Sequence, residues 1–185
     1  MHTSVEDALG TPSDVFVDYT SAAAVKSNVL LAIKAGRHVV IGSSGLTNDD
    51  FAEIDAAARA KNVGVIAVGN FAITAALLQR FAVEAAKHIE DFEIIDIAYK
   101  GKMDAPSGTA RELAWRLGVD PSKVHSLRLP GYTIGLEVRF GREDERLTLH
   151  YDGGPGAKPY ISGTLLAIRR VGEVVGLMRG LDAIL

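Results

Sequence analysis

Hydrophobic positions in the first half of the chain switch repeatedly between two spacings. DVFVDY, residues 14–19, alternates and is rich in β-formers, which predicts a strand. SAAAVKSNVLLAIKAG follows it, with Val25, Val29 and Ile33 at helical spacing, Ser21 placed to cap the start and Gly36 to end the helix. HVVIG, residues 38–42, is a continuous apolar run of the kind found in buried parallel strands. Thr47 with Asp50 three residues on predicts a capped helix whose inner face carries Phe51, Ile54, Ala57 and Ala58. VGVIAV, residues 63–68, reads as a third buried strand. A long helix comes next, with Ile73, Leu77, Phe81, Ala85 and Ile89 on one stripe.

Strands alternating with helices imply a parallel α/β sheet, and in such sheets ligands bind beyond the C-terminal strand ends. The segments at those ends are DYT (18–20), GSSG (42–45) and GNF (69–71), all glycine-bearing or small and polar. One such loop is an ordinary turn; three on one edge predict a site.

After residue 91 the pattern changes. Residues 92–99, 123–129, 133–141 and 145–152 all read as strands, with one helix over 107–117 and GRED as a hairpin turn. That predicts an α+β second domain with an open mixed or antiparallel sheet. YDGGPGAKPYISG reads as loop, and residues 164–170 resume a helical pattern. The expected division is 1–71, 72–160, and a C-terminal segment 161–185 packing back on the first domain.

Composition narrows the function. A net charge of -3 with no long basic run argues against nucleic acid and anionic membranes. The absence of cysteine removes disulfides, thiolate metal sites and cysteine nucleophiles, and fits a reducing, cytoplasmic setting. The N-terminus, MHTSVEDALG, is polar and acidic rather than signal-like, and the longest apolar stretch, 63–78, falls short of the roughly 20 residues of a membrane span. The five histidines, His2, His38, His88, His125 and His150, are scattered and are read as structural or exposed, with no metal site expected.

KGKMDAPSGTA, residues 100–110, carries candidate chemistry. Pro106 suits a helix entrance, and Ser107, Gly108 and Thr109 offer unpaired N–H groups and two hydroxyls to an anion. Lys102 adds a positive charge that can pair with that anion or donate a proton. The spacing is equally compatible with an exposed lysine and an ordinary serine cap.

EIIDIAYKGKMDAPSGTA resembles the central motif of the dihydrodipicolinate reductase family, with Asp-Ala-Pro-Ser-Gly-Thr-Ala intact. DVFVDYT, HVVIGSSGLT and VGNFAI are similar to its cofactor-side loops, and VHSLRLPG, EVRFGREDERLTLHYD and GTLLAIRRV to its C-terminal segments. The resemblance implies an incomplete Rossmann-type parallel sheet plus the α+β second domain. It implies hydride transfer from NADPH or NADH to a cyclic dicarboxylate in lysine and diaminopimelate biosynthesis, by a homotetramer joined through the second domain's sheet. Thr20, Gly42, Ser43, Ser44, Val68, Gly69, Asn70 and Phe71 would face the cofactor. Lys102 would be the proton donor, with Tyr99 as a second catalytic candidate, and Ser107, Gly108 and Thr109 would hold a substrate carboxylate.

Three departures qualify that expectation. The family's paired histidines are replaced by Ala98 and Tyr99, and alanine can neither give nor take a proton. The family's first strand and glycine-rich phosphate loop lie upstream of the match, and no G-x-G-x-x-G occurs here, which reads as an N-terminal truncation with weak cofactor binding and an exposed edge on the strand at 14–19. The connection RLGVDPSKVHSLRL is also shorter than the family's. A reductase, a reductase of altered substrate and a non-catalytic relative therefore all stay open, and an in-frame glycine-rich loop upstream of Met1 would favour the enzyme.

Overall fold

The computed structural model describes residues 4–185, and the chain divides into two compact units. The first comprises residues up to Gly69 together with Gly163–Leu185, and the second Asn70–Ser162.

A five-residue helix, α1 (Val5–Leu9), opens the first unit, with the Ser4 hydroxyl accepting the Asp7 N–H. Then come β1 (Val15–Asp18), α2 (Val25–Lys34), β2 (His38–Ile41), α3 (Asn48–Lys61) and β3 (Gly64–Ala67). The α/β alternation read from the hydrophobic spacing is therefore present. Ser21 does not cap α2 with its hydroxyl. Its carbonyl accepts the Ala24 and Val25 N–H groups through a turn, and α2 starts three residues later than the pattern predicts. Gly36, at φ +75°, closes α2 as expected. Thr47 and Asp50 form the reciprocal capping box at the start of α3. Lys26 and then the Thr47 N–H and hydroxyl hold the Asp50 carboxyl down at about 2.

The sheet order is β1-β2-β3-β8, all parallel, where β8 is Gly176–Arg179, and β1 occupies an edge. Val39, Ile41, Val65 and Ala67 join Val25, Val29 and Ile33 of α2 and Ile54 and Ala58 of α3 in one core. Val40 and Ile66 alternate to the opposite face and are also fully buried. That is why these strands read as continuous apolar runs. Gly64 lets the chain at Val171–Val174 close over β3, since a Cβ there would stand 2.1 Å from the Val171 carbonyl oxygen. Asp55 of α3 secures β8 by accepting the Leu177 N–H at 2.7 Å, and Arg59 bonds to the same carboxylate at 2.8 Å. Arg179 lies over the Phe51 ring, 4.2 Å from its centroid.

The second unit contains α4 (Ile73–Ala86), β4 (Phe92–Ala98), α5 (Gly108–Arg116), β5 (His125–Arg128), β6 (Ile134–Gly141) and β7 (Arg146–Gly153). Its sheet runs β5-β4-β6-β7, with β4 and β5 parallel and the rest antiparallel, as the mixed-sheet reading anticipated. Helix α6 (Lys158–Arg170) spans the division between units and begins within the stretch read as loop, because Pro159 is tolerated in a first turn.

The stripe expected on α4 is displaced. Ala75, Ala76, Leu78, Gln79 and Ala82 are the buried positions, Phe81 is half exposed, and Ile89 lies beyond the helix end. Alanines at these positions let the helix approach Leu136, Val138 and Phe140 of the sheet. Arg116 Nη1 donates to the buried Gln79 carbonyl at 3.2 Å. The opposite face of this sheet carries Glu93, Glu137, Arg139, Thr148 and His150.

Replacing Gly64 by alanine is expected to destabilise the chain by about 1–3 kcal/mol or more, because its Cβ meets backbone rather than a movable side chain. Urea unfolding should show a lower midpoint at an unchanged slope.

Candidate active site

Each unit gathers polar groups around a fully buried aspartate. In the first unit this is Asp18, the last residue of β1. Its Oδ1 accepts the Thr20 N–H at 3.2 Å, the Thr20 hydroxyl at 3.0 Å and the Ser43 hydroxyl, while its Oδ2 accepts Asn28 Nδ2 at 3.1 Å. These bonds bring together the first two loops read from the sequence. They also use the protons of Thr20 and Ser43, and the Thr20 oxygen in turn accepts Asn28 Nδ2 at 3.2 Å, which leaves the Ser43 oxygen to act as an acceptor.

Gly42 lies under the Tyr19 ring, and a Cβ there would stand 2.1 Å from Tyr19 Cε1. Burial pushes the Tyr19 hydroxyl up, against the opposing effect of its 2.8 Å hydrogen bond with Thr164. Ser44 is exposed beside it, Val68 is buried, and Gly69 ends the unit exposed. Asn70 and Phe71 begin the second unit, both buried. Asn70 Oδ1 accepts the Ala72 N–H at 2.9 Å and so turns the chain into α4.

In the second unit β4 runs into a loop and then α5. Phe92, Ile94, Asp96 and Ala98 share the face that packs on the helices, opposite Phe140, Val138, Leu136 and Ile134. Asp96 is consequently fully buried, and its Oδ2 accepts the Ser107 N–H at 2.8 Å, Arg128 Nη2 at 2.8 Å and the Ser126 hydroxyl at 3.3 Å. Arg128 Nη2 also donates to the Asp104 carbonyl at 2.7 Å. Ser107 is the N-cap of α5, its hydroxyl accepting the Ala110 N–H at 3.3 Å. The sequence reading put Pro106 in the helix entrance; it stands just outside, and its carbonyl accepts a hydrogen bond from Arg111.

Lys102 Nζ lies 2.6 Å from Asp104 Oδ1, and Arg111 Nη2 lies 3.6 Å from Asp104 Oδ2. Burial raises the Asp104 carboxyl, but hydrogen bonding and charge from Lys102, with Arg111 behind it, hold it below the usual carboxylate range. Two cations thus meet one carboxylate beside a helix N-terminus, an arrangement suited to a second anion. Ser107 and Thr109 are almost completely buried, so Gly108 is the more open of the three predicted anion-holding residues. Tyr99 is half exposed, whereas Ala98 is fully buried on the core face.

Both halves of the chain match one family. The model described as dihydrodipicolinate reductase, N-terminus, matches residues 1–71, and the model described as dihydrodipicolinate reductase, C-terminus, matches residues 74–185. The chain belongs to the dihydrodipicolinate reductase family. It is 34% identical over 201 residues to the 4-hydroxy-tetrahydrodipicolinate reductase of Lactococcus lactis subsp. lactis (strain IL1403), covering 96% of this chain and 77% of that one. It is 34% identical over 209 residues to the enzyme of the same name from Bacillus cereus (strain B4264), covering 100% and 77%. A dipicolinate-bound dihydrodipicolinate reductase from Paenisporosarcina sp. TG-14 superposes with a TM-score of 0.80 at 31% identity, covering 99% of this chain and 78% of that one.

Sequence reasoning singled out Lys102 and the Ser-Gly-Thr turn but passed over Asp96, Arg128, Arg111 and Asn28. Two of these carried a signal. Asp96 falls in step with Phe92 and Ile94 on an inward strand face, and Asn28 falls in step with Val25, Val29 and Ala32 on an apolar helix face. A polar residue at an inward position needs partners, and here the partners build the site. The four described histidines all have local partners, such as His38 Nδ1 accepting the Gly64 N–H at 2.9 Å. Among the described residues no helix is long and apolar enough to cross a membrane.

A depressed folded-state carboxyl stabilises the chain above its unfolded value and loses that contribution as pH falls through the folded one. The stability difference between the natural chain and Asp104→Asn should therefore be level above about pH 5 and shrink below about pH 4. With the carboxylate a third exposed, its size is about 0.2–1 kcal/mol, readable by urea titration at stepped pH.

Proposed function

We propose that this chain is a 4-hydroxy-tetrahydrodipicolinate reductase of lysine and diaminopimelate biosynthesis, working in the cytoplasm. The observation that carries the reading is the convergence of Lys102 and Arg111 on Asp104 beside the α5 N-terminus, within the family's Asp-Ala-Pro-Ser-Gly-Thr turn. A cyclic dicarboxylate places one carboxylate against the Gly108 N–H and the cations, competing with Asp104 for them. Hydride addition to an unsaturated ring carbon leaves the electron pair of the broken π bond on its neighbour, and the Lys102 ammonium protonates that atom. Asp104 keeps Lys102 in place between turnovers.

The first unit's residues fit a nicotinamide. The Ser43 hydroxyl, its proton given to Asp18, keeps lone pairs that suit an N–H of a carboxamide. Bound NADH or NADPH supplies the hydride. Val68, Gly69, Asn70 and Phe71 are assigned to the same cofactor. Tyr99, half exposed at a position where the family has histidine, is assigned to hydrogen bonding with substrate.

Lys102→Ala should lower turnover about 10²–10⁴-fold and leave cofactor affinity within a few-fold. Tyr99→Phe should mainly raise KM. Steady-state kinetics on the two variants checks this. Turnover that survives Lys102→Ala and vanishes in Tyr99→Phe would overturn the assignment. Dipicolinate binding with no turnover by the natural chain would favour a non-catalytic relative.

The same reading assigns the open face of the β5-β4-β6-β7 sheet to assembly as a homotetramer. Its cross-strand pairs, such as Glu137 with His150 at 3.0 Å, are positioned for burial by a second sheet. Light scattering should give a multiple of the chain mass, and a strictly monomeric mass at high concentration would rule the assembly out.

A further inference from the structure

We infer that Asp96 and Arg128 are the positioning pair for the anion-binding turn, an inference that rests on the reductase reading above. Residues 104–107 belong to no strand or helix, yet both ends of this stretch are tied to one ion pair. Asp96 Oδ2 accepts the Ser107 N–H at 2.8 Å, which sets where α5 begins. Arg128 Nη2 donates to the Asp104 carbonyl at 2.7 Å, which sets the residue that holds Lys102. The same Nη2 closes the pair on Asp96 Oδ2 at 2.8 Å.

The two side chains come from rigid elements. Asp96 and Arg128 lie on the paired strands β4 and β5, in a parallel register that sets Asp96 beside Ser126 and Ala98 beside Arg128. Arg128 Nη1 is held by the Asp96 and Leu127 carbonyls at 3.3 and 2.9 Å. The guanidinium is therefore a fixed fork, and the turn takes its place from the sheet. Replacing a buried ion pair by an apolar pair of similar volume is often neutral for stability, so the contribution sought in this pair is geometry. Neither residue reaches the reacting atoms in this scheme. They act through the Ser107 N–H and the Asp104 backbone.

The test is calorimetric titration of the whole chain with dipicolinate, alongside thermal unfolding, for the natural chain and for Asp96→Asn, Arg128→Lys and Ser126→Ala. Asp96→Asn keeps the shape and loses the ionic hold on Arg128. Arg128→Lys keeps the charge but cannot serve the carboxylate and the Asp104 carbonyl together. Both should weaken dipicolinate binding by about 10-fold or more, since small misplacements of an oriented site are costly. Ser126→Ala removes a 3.3 Å bond to the same oxygen from outside the turn. It should lower the melting temperature while leaving dipicolinate affinity within about twofold, which a merely structural role for the cluster would not separate. Unchanged affinity in the folded Asp96 and Arg128 variants overturns the assignment alone. A natural chain that binds no dipicolinate overturns the reductase reading and this assignment with it. Arg128→Lys leaves Asp96 paired with a cation and so decides the matter even where Asp96→Asn does not fold.

Discussion

A carboxylate without solvent exposure has to be surrounded by donors, and at Asp96 those donors determine the course of the chain. The Ser107 N–H, the Ser126 hydroxyl and the Arg128 guanidinium all converge on one oxygen. An uncompensated buried charge would cost several kcal/mol, so the loop leaving β4 is constrained to return over the strand end. The helix that follows starts where Ser107 is held, and Lys102 is placed by the carboxylate of Asp104 in the same loop. Fold and candidate chemistry share this constraint.

The first unit applies the same device without a cation. Asp18 ends an edge strand and accepts the Thr20 N–H, the Thr20 hydroxyl lying 3.0 Å from both of its oxygens, and Asn28 Nδ2, then the Ser43 hydroxyl of the neighbouring loop. The donors are neutral, and each bond gains from the charge of the carboxylate that accepts it. In both units the aspartate occupies the C-terminal end of a strand paired in parallel with its neighbour, where α/β sheets present their ligands. Both aspartates are buried, so neither faces solvent itself.

The replacement of the family's histidine pair has a physical consequence beyond lost acid–base chemistry. Ala98 continues the alternation of Phe92, Ile94 and Asp96 and is fully buried, so its methyl serves the core. Tyr99 falls on the other phase and stays half exposed. Lys102 is left as the one ammonium in the motif paired to a carboxylate within the turn, with Arg111 as a second cation beside it.

Local spacing sufficed for what depends on local physics. The three parallel strands, the capping box at Thr47, the stop at Gly36 and the Ser107 cap all follow from period, side-chain hydrogen bonding and glycine's access to positive φ, and each is present. The Ser-Gly-Thr turn and Lys102 were legible for the same reason, since their meaning lies within a few residues. Choices between nearly equal local alternatives were made by tertiary structure. The face α4 buries was settled by how closely alanine lets a helix approach the Leu136–Phe140 strand, and Pro159 entered α6 because a first turn needs no N–H from it. Partners distant in sequence were beyond the reach of pattern altogether. Asp96 meets Arg128 32 residues away and Tyr19 meets Thr164 145 residues away, and only the sheet register and the folded chain put those atoms within hydrogen-bonding distance.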